Sequence, residues 1–354
     1  MRGSLIRRRE VIGGLGAAAV DAICRPKPAS AQPAAGVTHR TINTNGIRLH
    51  VAEKGQGPLV LMCHGFPESW YSWRHQLAAL SAAGFRAVAA DMHGYGQSDR
   101  PEAIDQYTLL HLVGDMVGVL DTLGIQQAVI AGHNWGAVVA WYAALLRPDR
   151  FHAVIALSLP YLPRSPVAPT SAMPRRKDSM FYVLYFQEPG VAEAEFERDV
   201  RQTLLKMLAG GSVARGLAKE LPGDPIGMVR RDSGLLADRP IPSSLPDWLT
   251  KADLDFYVGE FERTGFRGGL NWYRNTDRNW ELLASLDGAK VTVPALYLVG
   301  DRDLLPGMDR AVTNLASNVP QLRGKIILPG CGHWTQQERA PEVNAAMIDF
   351  LRQL

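Results

Sequence analysis

Short runs of apolar residues recur along this chain, and most of them end in Gly, Asp or His. The runs are rich in Val, Ile, Leu and Ala, and their apolar residues are consecutive rather than alternating with polar ones. Continuous apolarity is typical of strands that are buried on both faces of a parallel sheet. The predicted strands lie at residues 59–63, 86–90, 128–131, 153–157, 295–299 and 325–328.

Segments with the spacing of an amphipathic helix lie between these runs. Residues 109–123 place their apolar side chains on one stripe, and residues 136–146 and 341–351 have a similar pattern. Strands that alternate with helices predict an α/β fold with a mostly parallel central sheet flanked by helices.

The alternation stops near Pro160 and resumes near Val291. The chain between these points begins with a cluster of prolines, continues with helical segments and many aromatic residues, and contains no convincing strand. We therefore expect a helical cap at residues 160–290, inserted into an α/β core made of residues 38–159 and 291–354.

The first 31 residues differ from the rest of the chain. Three arginines at residues 7–9 precede a short uncharged stretch at residues 11–20, and the sequence Ala29-Ser30-Ala31 follows. A basic start, a short apolar run and an A-x-A site are typical of a cleavable export signal, and the arginine run favours the twin-arginine route. The apolar run is too short to span a bilayer, and no later run is long enough. We expect an exported protein, periplasmic or secreted.

The net charge of the chain depends on whether this signal is still attached. The net charge of the 354-residue chain is +3, which at first suggests an anionic partner. Six basic and two acidic residues lie in the first 31 positions, so a chain cleaved after them has a net charge of −1. No basic stripe or phosphate loop marks the remainder, and no His, Cys or acidic cluster has the spacing of metal ligands. The sequence therefore predicts no nucleic-acid partner and no metal.

One predicted strand leads into the motif G-x-N-x-G at residues 132–136, and a helical segment follows. In a nucleophile elbow, a strand, a strained turn and a helix succeed one another in this order, and the central side chain projects into the site. The central residue is usually Ser, Cys or Asp, whereas here it is Asn134.

Three further motifs follow other predicted strands. Residues 64–67 lie where enzymes with such an elbow place a second oxyanion-binding N–H. Asp303 and His333 follow the last two strands, so the order nucleophile, acid, base is Asn134, Asp303, His333. Four motifs in the required order are far more specific than a single G-x-x-x-G.

With these motifs in place, the chain resembles the epoxide hydrolase family of the α/β hydrolases, and is especially similar to the hydrolase domain of animal soluble epoxide hydrolases. The resemblance covers about residues 38–354. Its most specific part is the pair of motifs in the predicted cap, at residues 185–196 and 265–275. The segments that carry it are residues 64–70 (HGFPESW), 91–98 (DMHGYGQS), 132–136 (GHNWG), 185–196 (YFQEPGVAEAEF), 265–275 (GFRGGLNWYRN) and 330–336 (GCGHWTQ).

The resemblance implies how a lipophilic epoxide and water would react without a cofactor. An aspartate at the elbow attacks an epoxide carbon and forms a covalent ester. Two cap tyrosines, matched by motif to Tyr185 and Tyr273, hold the epoxide oxygen and donate to it as the ring opens. We expect the other cap tyrosines, Tyr182 among them, to be packing residues.

The second half of the implied reaction cleaves the ester. His333 activates water, and Asp303, favoured over Asp301, orients the imidazole. The backbone N–H groups of Phe66 and Trp135 stabilise the oxyanion. His64 and His133 flank these positions, and for them we expect structural hydrogen bonds.

Asn134 departs from the family pattern, because a neutral amide is a very poor nucleophile. It is consistent with an engineered substitution, with a natural protein that binds without turnover, or with an amide that is hydrolysed in place to an aspartate. Since the other catalytic positions are intact, we expect an epoxide hydrolase whose active form carries an aspartate there. The alternatives are a haloalkane dehalogenase, with Trp135 as a halide donor, and a non-catalytic binder of an apolar ligand.

Overall fold

The computed structural model describes residues 36–210, 227–237, 239–303 and 308–354. The predicted export signal lies outside these ranges. Within them, eight strands form one sheet in the order β1-β2-β4-β3-β5-β6-β9-β10, and two form a separate ribbon. The strands are β1 Thr38–Thr44, β2 Ile47–Lys54, β3 Leu59–Cys63, β4 Arg86–Ala90, β5 Ala128–His133, β6 Phe151–Leu157, β7 Ser179–Phe181, β8 Met228–Arg230, β9 Ala295–Gly300 and β10 Leu322–Leu328.

The central sheet is parallel from β4 to β10 and antiparallel at its β1–β2 edge. Every residue of β3, β5 and β9 is buried, which explains the continuous apolar runs. The edge strand β10 alternates between half-buried and exposed residues instead. The α/β fold predicted from the sequence is confirmed.

The hairpin formed by β1 and β2 is absent from the sequence-based prediction. Most of β1 is exposed and polar, so it has no apolar run. The local signal that marks it is the dipeptide Asn45-Gly46, whose φ angles of 46° and 82° fit the two-residue turn that suits a hairpin.

Helices cover both faces of the sheet and fill the segment between β6 and β9. The helical pattern at residues 109–123 corresponds to α2, and the other two patterns to α3 and α14. The α-helices of the described ranges are α1 Arg74–Ala82, α2 Leu109–Thr122, α3 Trp135–Leu146, α4 Pro169–Ala172, α5 Tyr182–Tyr185, α6 Val191–Phe196, α7 Val200–Leu204, α8 Lys251–Thr264, α9 Arg267–Arg274, α10 Thr276–Leu282, α11 Met308–Thr313, α12 Leu315–Asn318, α13 Thr335–Glu338 and α14 Ala340–Leu351. Among them, none is long and apolar enough to cross a membrane.

The segment between β6 and β9 is mainly helical but not free of strands. The expectation of no strand there is wrong, because β7 and β8 pair antiparallel. Each is three residues long, and they lie far apart in the chain, so neither produces a recognisable pattern. This segment is docked on the core: the Tyr71 hydroxyl donates to Asp253 at 2.9 Å, and the Trp272 indole donates to the His93 carbonyl at 3.0 Å.

Candidate active site

The turn after β5 holds Asn134 in a strained backbone conformation, with φ 54° and ψ −124°. Positive φ costs a residue with a side chain about 1–2 kcal/mol. The flanking glycines allow close packing: a Cβ on Gly132 would collide with the backbone of Gly136, and one on Gly136 with the Cys63 carbonyl. The sequence thus builds the elbow that the motif predicts, with Asn134 at its tip.

The Asn134 carboxamide is nearly buried, 9% exposed, and both of its ends are bound. Its Oδ1 accepts a hydrogen bond from the Phe66 backbone N–H at 3.1 Å. Its Nδ2 lies 3.0 Å from Nε2 of His333. The carbonyl therefore occupies the oxyanion-binding position, and the amide nitrogen faces the imidazole.

His333 is held from its other side by Asp303, which follows β9. Its Nδ1 lies 2.8 Å from Asp303 Oδ1, and both side chains are buried. With Nδ1–H donated to the carboxylate, Nε2 has a free lone pair for the Asn134 amide or for water. Asp301 is exposed, so the structure brings Asp303 and not Asp301 to the imidazole.

Charge and burial act in opposite directions on this pair. Burial is the largest influence on His333 and lowers its pKa, but the charge of Asp303 and its hydrogen bond outweigh burial, so the pKa of His333 is raised. Burial raises the pKa of Asp303, yet the neighbouring imidazole leaves it below its usual value. The pair thus favours an ionised acid and a more basic imidazole.

Ser158, at the end of β6, belongs to the same cluster, and the sequence analysis did not identify it. Its Oγ bonds to Asp303 Oδ2 and lies 2.9 Å from His333 Nδ1. Its φ of 75° turns the side chain toward the acid. The only signal in the sequence is its position directly after a strand that neighbours the elbow strand.

The proposed oxyanion donors are the backbone N–H groups of Phe66, which follows β3, and of Trp135, the first residue of α3. The Phe66 N–H already binds the Asn134 carbonyl, and Gly65 leaves room for it, since a Cβ there would meet the Asn134 side chain. The Trp135 N–H is the first of α3 and has no backbone acceptor within the described ranges. It is therefore free to donate a hydrogen bond to an oxygen that develops negative charge.

The cap tyrosines do not match the expectation from the sequence. Tyr185, the residue chosen by motif, donates its hydroxyl to Glu195 at 2.8 Å, and burial followed by the Glu195 charge raises its pKa. Tyr182, expected to be a packing residue, lies beside Tyr273 with 6.1 Å between ring centroids. Burial and then the charge of Asp303 raise the pKa of Tyr182 to about 12. The structure thus places Tyr182 beside Tyr273 and near Asp303, whereas the Tyr185 hydroxyl is engaged by Glu195.

Tyr273 lies on α9, among the aromatic residues around the elbow. Its ring packs edge-on against Phe66 at 5.6 Å and Trp135 at 5.2 Å, the two residues whose N–H groups flank the elbow. Phe186 closes another side at 4.9 Å. Burial raises the pKa of Tyr273 well above its ordinary value, so its phenol is neutral and can donate a hydrogen bond.

A second buried acid lies beneath the site. Glu68 is completely buried and bonds to His133 Nδ1 at 2.7 Å, to the Gly65 N–H and to the side-chain amides of Gln336 and Gln337. The other nitrogen of His133, Nε2, lies 2.7 Å from the backbone carbonyl of His333. The pair therefore fixes the loops that carry the catalytic groups.

The remaining candidate chemistry is structural. His64 uses both ring nitrogens, toward the Gly65 carbonyl and the Met92 N–H. Cys63 and Cys331 are free and buried. Within the ranges that the structure describes, no group of three His, Cys, Asp or Glu side chains could hold a metal ion.

The family of this chain follows from comparison with known proteins. The model of the α/β-hydrolase fold family matches residues 58–340. Epoxide hydrolase A of Mycobacterium tuberculosis is 47% identical, over 89% of this chain and 97% of that protein. Bifunctional epoxide hydrolase 2 of Sus scrofa is 41% identical over 92% of this chain, which spans 57% of that longer protein.

Solved structures agree with these sequence matches. An epoxide hydrolase from an endophytic Streptomyces has a TM-score of 0.85 and 48% identity, over 90% of this chain and 96% of that one. Epoxide hydrolase A from Mycobacterium thermoresistibile has a TM-score of 0.81 and 46% identity, over 89% and 98%.

Proposed function

This chain belongs to the epoxide hydrolase family of the α/β-hydrolase fold, and we propose that it hydrolyses lipophilic epoxides to vicinal diols once position 134 carries an aspartate. The observation that carries the proposal is the binding of the Asn134 carboxamide, whose oxygen is held by the Phe66 N–H and whose nitrogen faces His333. A carboxylate of the same shape keeps the Phe66 N–H contact, accepts a hydrogen bond from His333 Nε2 when the imidazole is protonated, and supplies the nucleophile that an amide lacks.

In the first step, the aspartate at position 134 attacks an epoxide carbon. A carbon–oxygen bond of the ring breaks as the ester bond forms, and the epoxide oxygen leaves as an alkoxide. Tyr182 and Tyr273 lie side by side at the site, and one phenol supplies the proton that converts the alkoxide to a hydroxyl. Both phenols are neutral at pH 7, since burial raises the pKa of each.

In the second step, water cleaves the ester. His333 takes a proton from water at Nε2, while Asp303 stabilises the imidazolium that forms. The hydroxide adds to the ester carbonyl, and the N–H groups of Phe66 and Trp135 stabilise the oxyanion. Collapse of the tetrahedral intermediate breaks the bond to the diol oxygen, releases the diol and restores the carboxylate. The proton that His333 took from water then returns the phenolate of the first step to a phenol.

The same groups support conversion of the amide itself. The Asn134 carbonyl already accepts the Phe66 N–H, as an ester carbonyl would, and His333, which faces the amide nitrogen, is the base that would activate water for attack on the carbonyl carbon. Addition of water followed by loss of the amide nitrogen as ammonium gives the aspartate. The ester reaction thus has a slow analogue in which the enzyme acts on its own side chain.

The test compares the chain as written, the Asn134→Asp variant and an Asn134→Ala variant in a diol assay with aryl and fatty-acyl epoxides. We expect the Asn134→Asp variant to be far more active than the chain as written and the alanine variant to stay inactive. Equal inactivity of the asparagine and aspartate forms would contradict the proposal and favour a binder without turnover. Halide release from haloalkanes, with no diol from epoxides, would instead favour a dehalogenase.

Conversion in place is followed separately, by intact-protein mass during storage. We expect the mass to rise by the difference between an amide and an acid while activity appears in parallel. A His333→Gln variant keeps the fold of the elbow but lacks the base, so its mass should stay constant. If both proteins convert at the same rate, the site does not catalyse the conversion.

We also propose that residues 1–31 direct export to the periplasm or the medium. The arginines at residues 7–9, the short apolar stretch and the Ala29-Ser30-Ala31 site support this. Amino-terminal sequencing of the exported protein should begin after Ala31. Replacing the arginines by lysines should retain the full-length protein in the cytoplasm, and unchanged export would contradict the twin-arginine route.

A further inference from the structure

A buried charge pair joins the segment between β6 and β9 to the core. Arg74, the first residue of α1, lies with its Nε 3.2 Å from Oδ1 of Asp253, on α8. Both side chains are buried. Burial raises the pKa of Asp253, but the charge of Arg74 and the hydrogen bonds of Thr250 and Tyr71 outweigh burial, so this pKa is lowered. The two groups therefore form an ion pair, which no step of the proposed reaction uses.

The same guanidinium reaches the loop of the catalytic base. Its Nη1 donates to Oε1 of Gln337 at 2.7 Å, and the Tyr257 hydroxyl, from α8, donates to the same oxygen at 3.2 Å. Gln337 lies on α13, which begins two residues after His333. Two buried donors, one from α1 and one from α8, thus converge on a single amide close to the base in the chain.

Polar contacts continue from Gln337 to the base itself. The Gln337 Nε2 donates to one oxygen of Glu68 at 3.3 Å, and the other oxygen of Glu68 lies 2.7 Å from His133 Nδ1. The opposite nitrogen of His133 lies 2.7 Å from the backbone carbonyl of His333. Because these side chains are buried, their bonds act in a medium of low dielectric constant, where they are strong. An unbroken series of buried contacts therefore runs from α8 to the backbone of the base.

We propose that Arg74 is a positioning residue that holds His333, through Gln337, in the place that the second step requires, and that it does so only while α8 is docked on the core. The inference rests on the proposed function. Only two residues separate α8 from α9, which carries Tyr273. The same contact thus fixes a proton donor of the first step relative to the base of the second.

Three variants separate this role from docking of α8 in general. Arg74→Lys keeps a charge beside Asp253, but one ammonium cannot reproduce both contacts of a planar guanidinium. Gln337→Met keeps the length of the side chain and removes its donor and its acceptor. Arg263→Gln is the matched control, because Arg263 also lies on α8 and docks it on the core, through a bond to the Gly96 carbonyl at 2.8 Å.

The first test needs no turnover and uses the chain as written. The proton between His333 Nδ1 and Asp303 gives a low-field nuclear magnetic resonance signal, which His333→Gln identifies by its disappearance. We expect Arg74→Lys and Gln337→Met to shift or broaden this signal and Arg263→Gln to leave it unchanged. A signal that Arg74→Lys does not alter in the folded protein overturns the proposal.

The second test measures the two chemical steps separately in the Asn134→Asp background, with styrene oxide, rapid quenching and the mass of the ester-bearing protein. Arg74→Lys should slow cleavage of the ester about ten- to a hundredfold, since displacing a reacting group by about 1 Å costs up to about that much. Formation of the ester should stay nearly unchanged, so the ester accumulates and kcat and KM fall together. A variant that is only less stable would lower kcat and leave KM unchanged.

A double-mutant cycle shows whether the effect passes through Gln337. If it does, the protein with both Arg74→Lys and Gln337→Met cleaves the ester about as fast as either single variant, whereas independent effects would multiply and contradict the proposal. Equal slowing by Arg263→Gln would also overturn it. Absence of ester from every Asn134→Asp protein would refute the proposed function, while the His333 signal would still decide on Arg74.

Discussion

Two tyrosine-to-phenylalanine substitutions distinguish the hydroxyl groups of Tyr182 and Tyr185, which lie one helical turn apart. Each removes one oxygen and leaves the ring, so packing changes little. The Tyr185 hydroxyl donates a hydrogen bond to Glu195. Tyr182 lies beside Tyr273, and burial followed by the charge of Asp303 raises the pKa of Tyr182. In the Asn134→Asp background, only the Tyr182 change should therefore affect ring opening strongly.

The expected magnitudes follow from what each hydroxyl does. Loss of a donor to a developing oxyanion costs about 3–4 kcal/mol, so Tyr182→Phe should lower kcat by about 10²–10³. Tyr185→Phe removes one bond to Glu195, which keeps its bonds from the Leu235 and Leu236 N–H groups. That change should cost about 1 kcal/mol of folding free energy and leave kcat nearly unchanged.

The assay measures the initial rate of diol formation and the denaturant midpoint for both variants and for Tyr273→Phe. Tyr273→Phe provides the comparison for a lost donor, since its ring packs on Phe66 and Trp135. The reasoning is refuted if Tyr185→Phe loses activity while Tyr182→Phe keeps it. A quench experiment that traps the covalent ester shows whether the affected step is ring opening.

The remaining predictions concern the buried acids. Because the base must be neutral and the pKa of His333 is raised, the activity of the Asn134→Asp variant should fall on the acid side of a pKa above about 6.5, as a pH–rate profile would show. Asp303→Asn removes the charge that raises this pKa, so the acid limb should move to lower pH and the rate should fall about 10²–10⁴-fold; an unchanged profile would contradict the assignment. Glu68→Gln leaves an amide among four donors and should cost about 3–5 kcal/mol in urea unfolding. Burial raises the pKa of Glu68, but the neighbouring His133 outweighs burial, so this pKa is lowered. The free energy of unfolding that the ionised Glu68 adds to the parent should therefore be lost as the pH falls below the ordinary pKa of a carboxyl group, and Glu68→Gln should not show this loss.

Features with a local signature were predictable from the sequence. The elbow around Asn134 and the acid Asp303 follow the buried strands β5 and β9, whose apolar runs are easy to recognise, and the base His333 follows the edge strand β10. Parallel strands bring their carboxyl ends to one edge of the sheet, so the order of motifs implied their proximity. The exposed strand β1 was missed because its pairing depends on a turn and not on burial.

Features that depend on distant contacts were not predictable. Tyr182 and Tyr185 occupy similar surroundings in the sequence, and only the position of Glu195, ten residues further on, shows which hydroxyl is engaged elsewhere. Ser158 reaches Asp303 through a backbone angle that has no local residue signature.

The placement of the reactive groups on neighbouring strand ends also governs how this protein loses activity. Phe66, Asn134, Ser158 and Asp303 follow β3, β5, β6 and β9, which pair side by side in one continuous hydrogen-bonded ladder. Such a ladder opens as a cooperative unit, so these four positions stay together until the sheet itself melts. Turnover of the Asn134→Asp variant that is lost before the sheet melts would therefore report movement of His333 or of the cap tyrosines, which follow other elements.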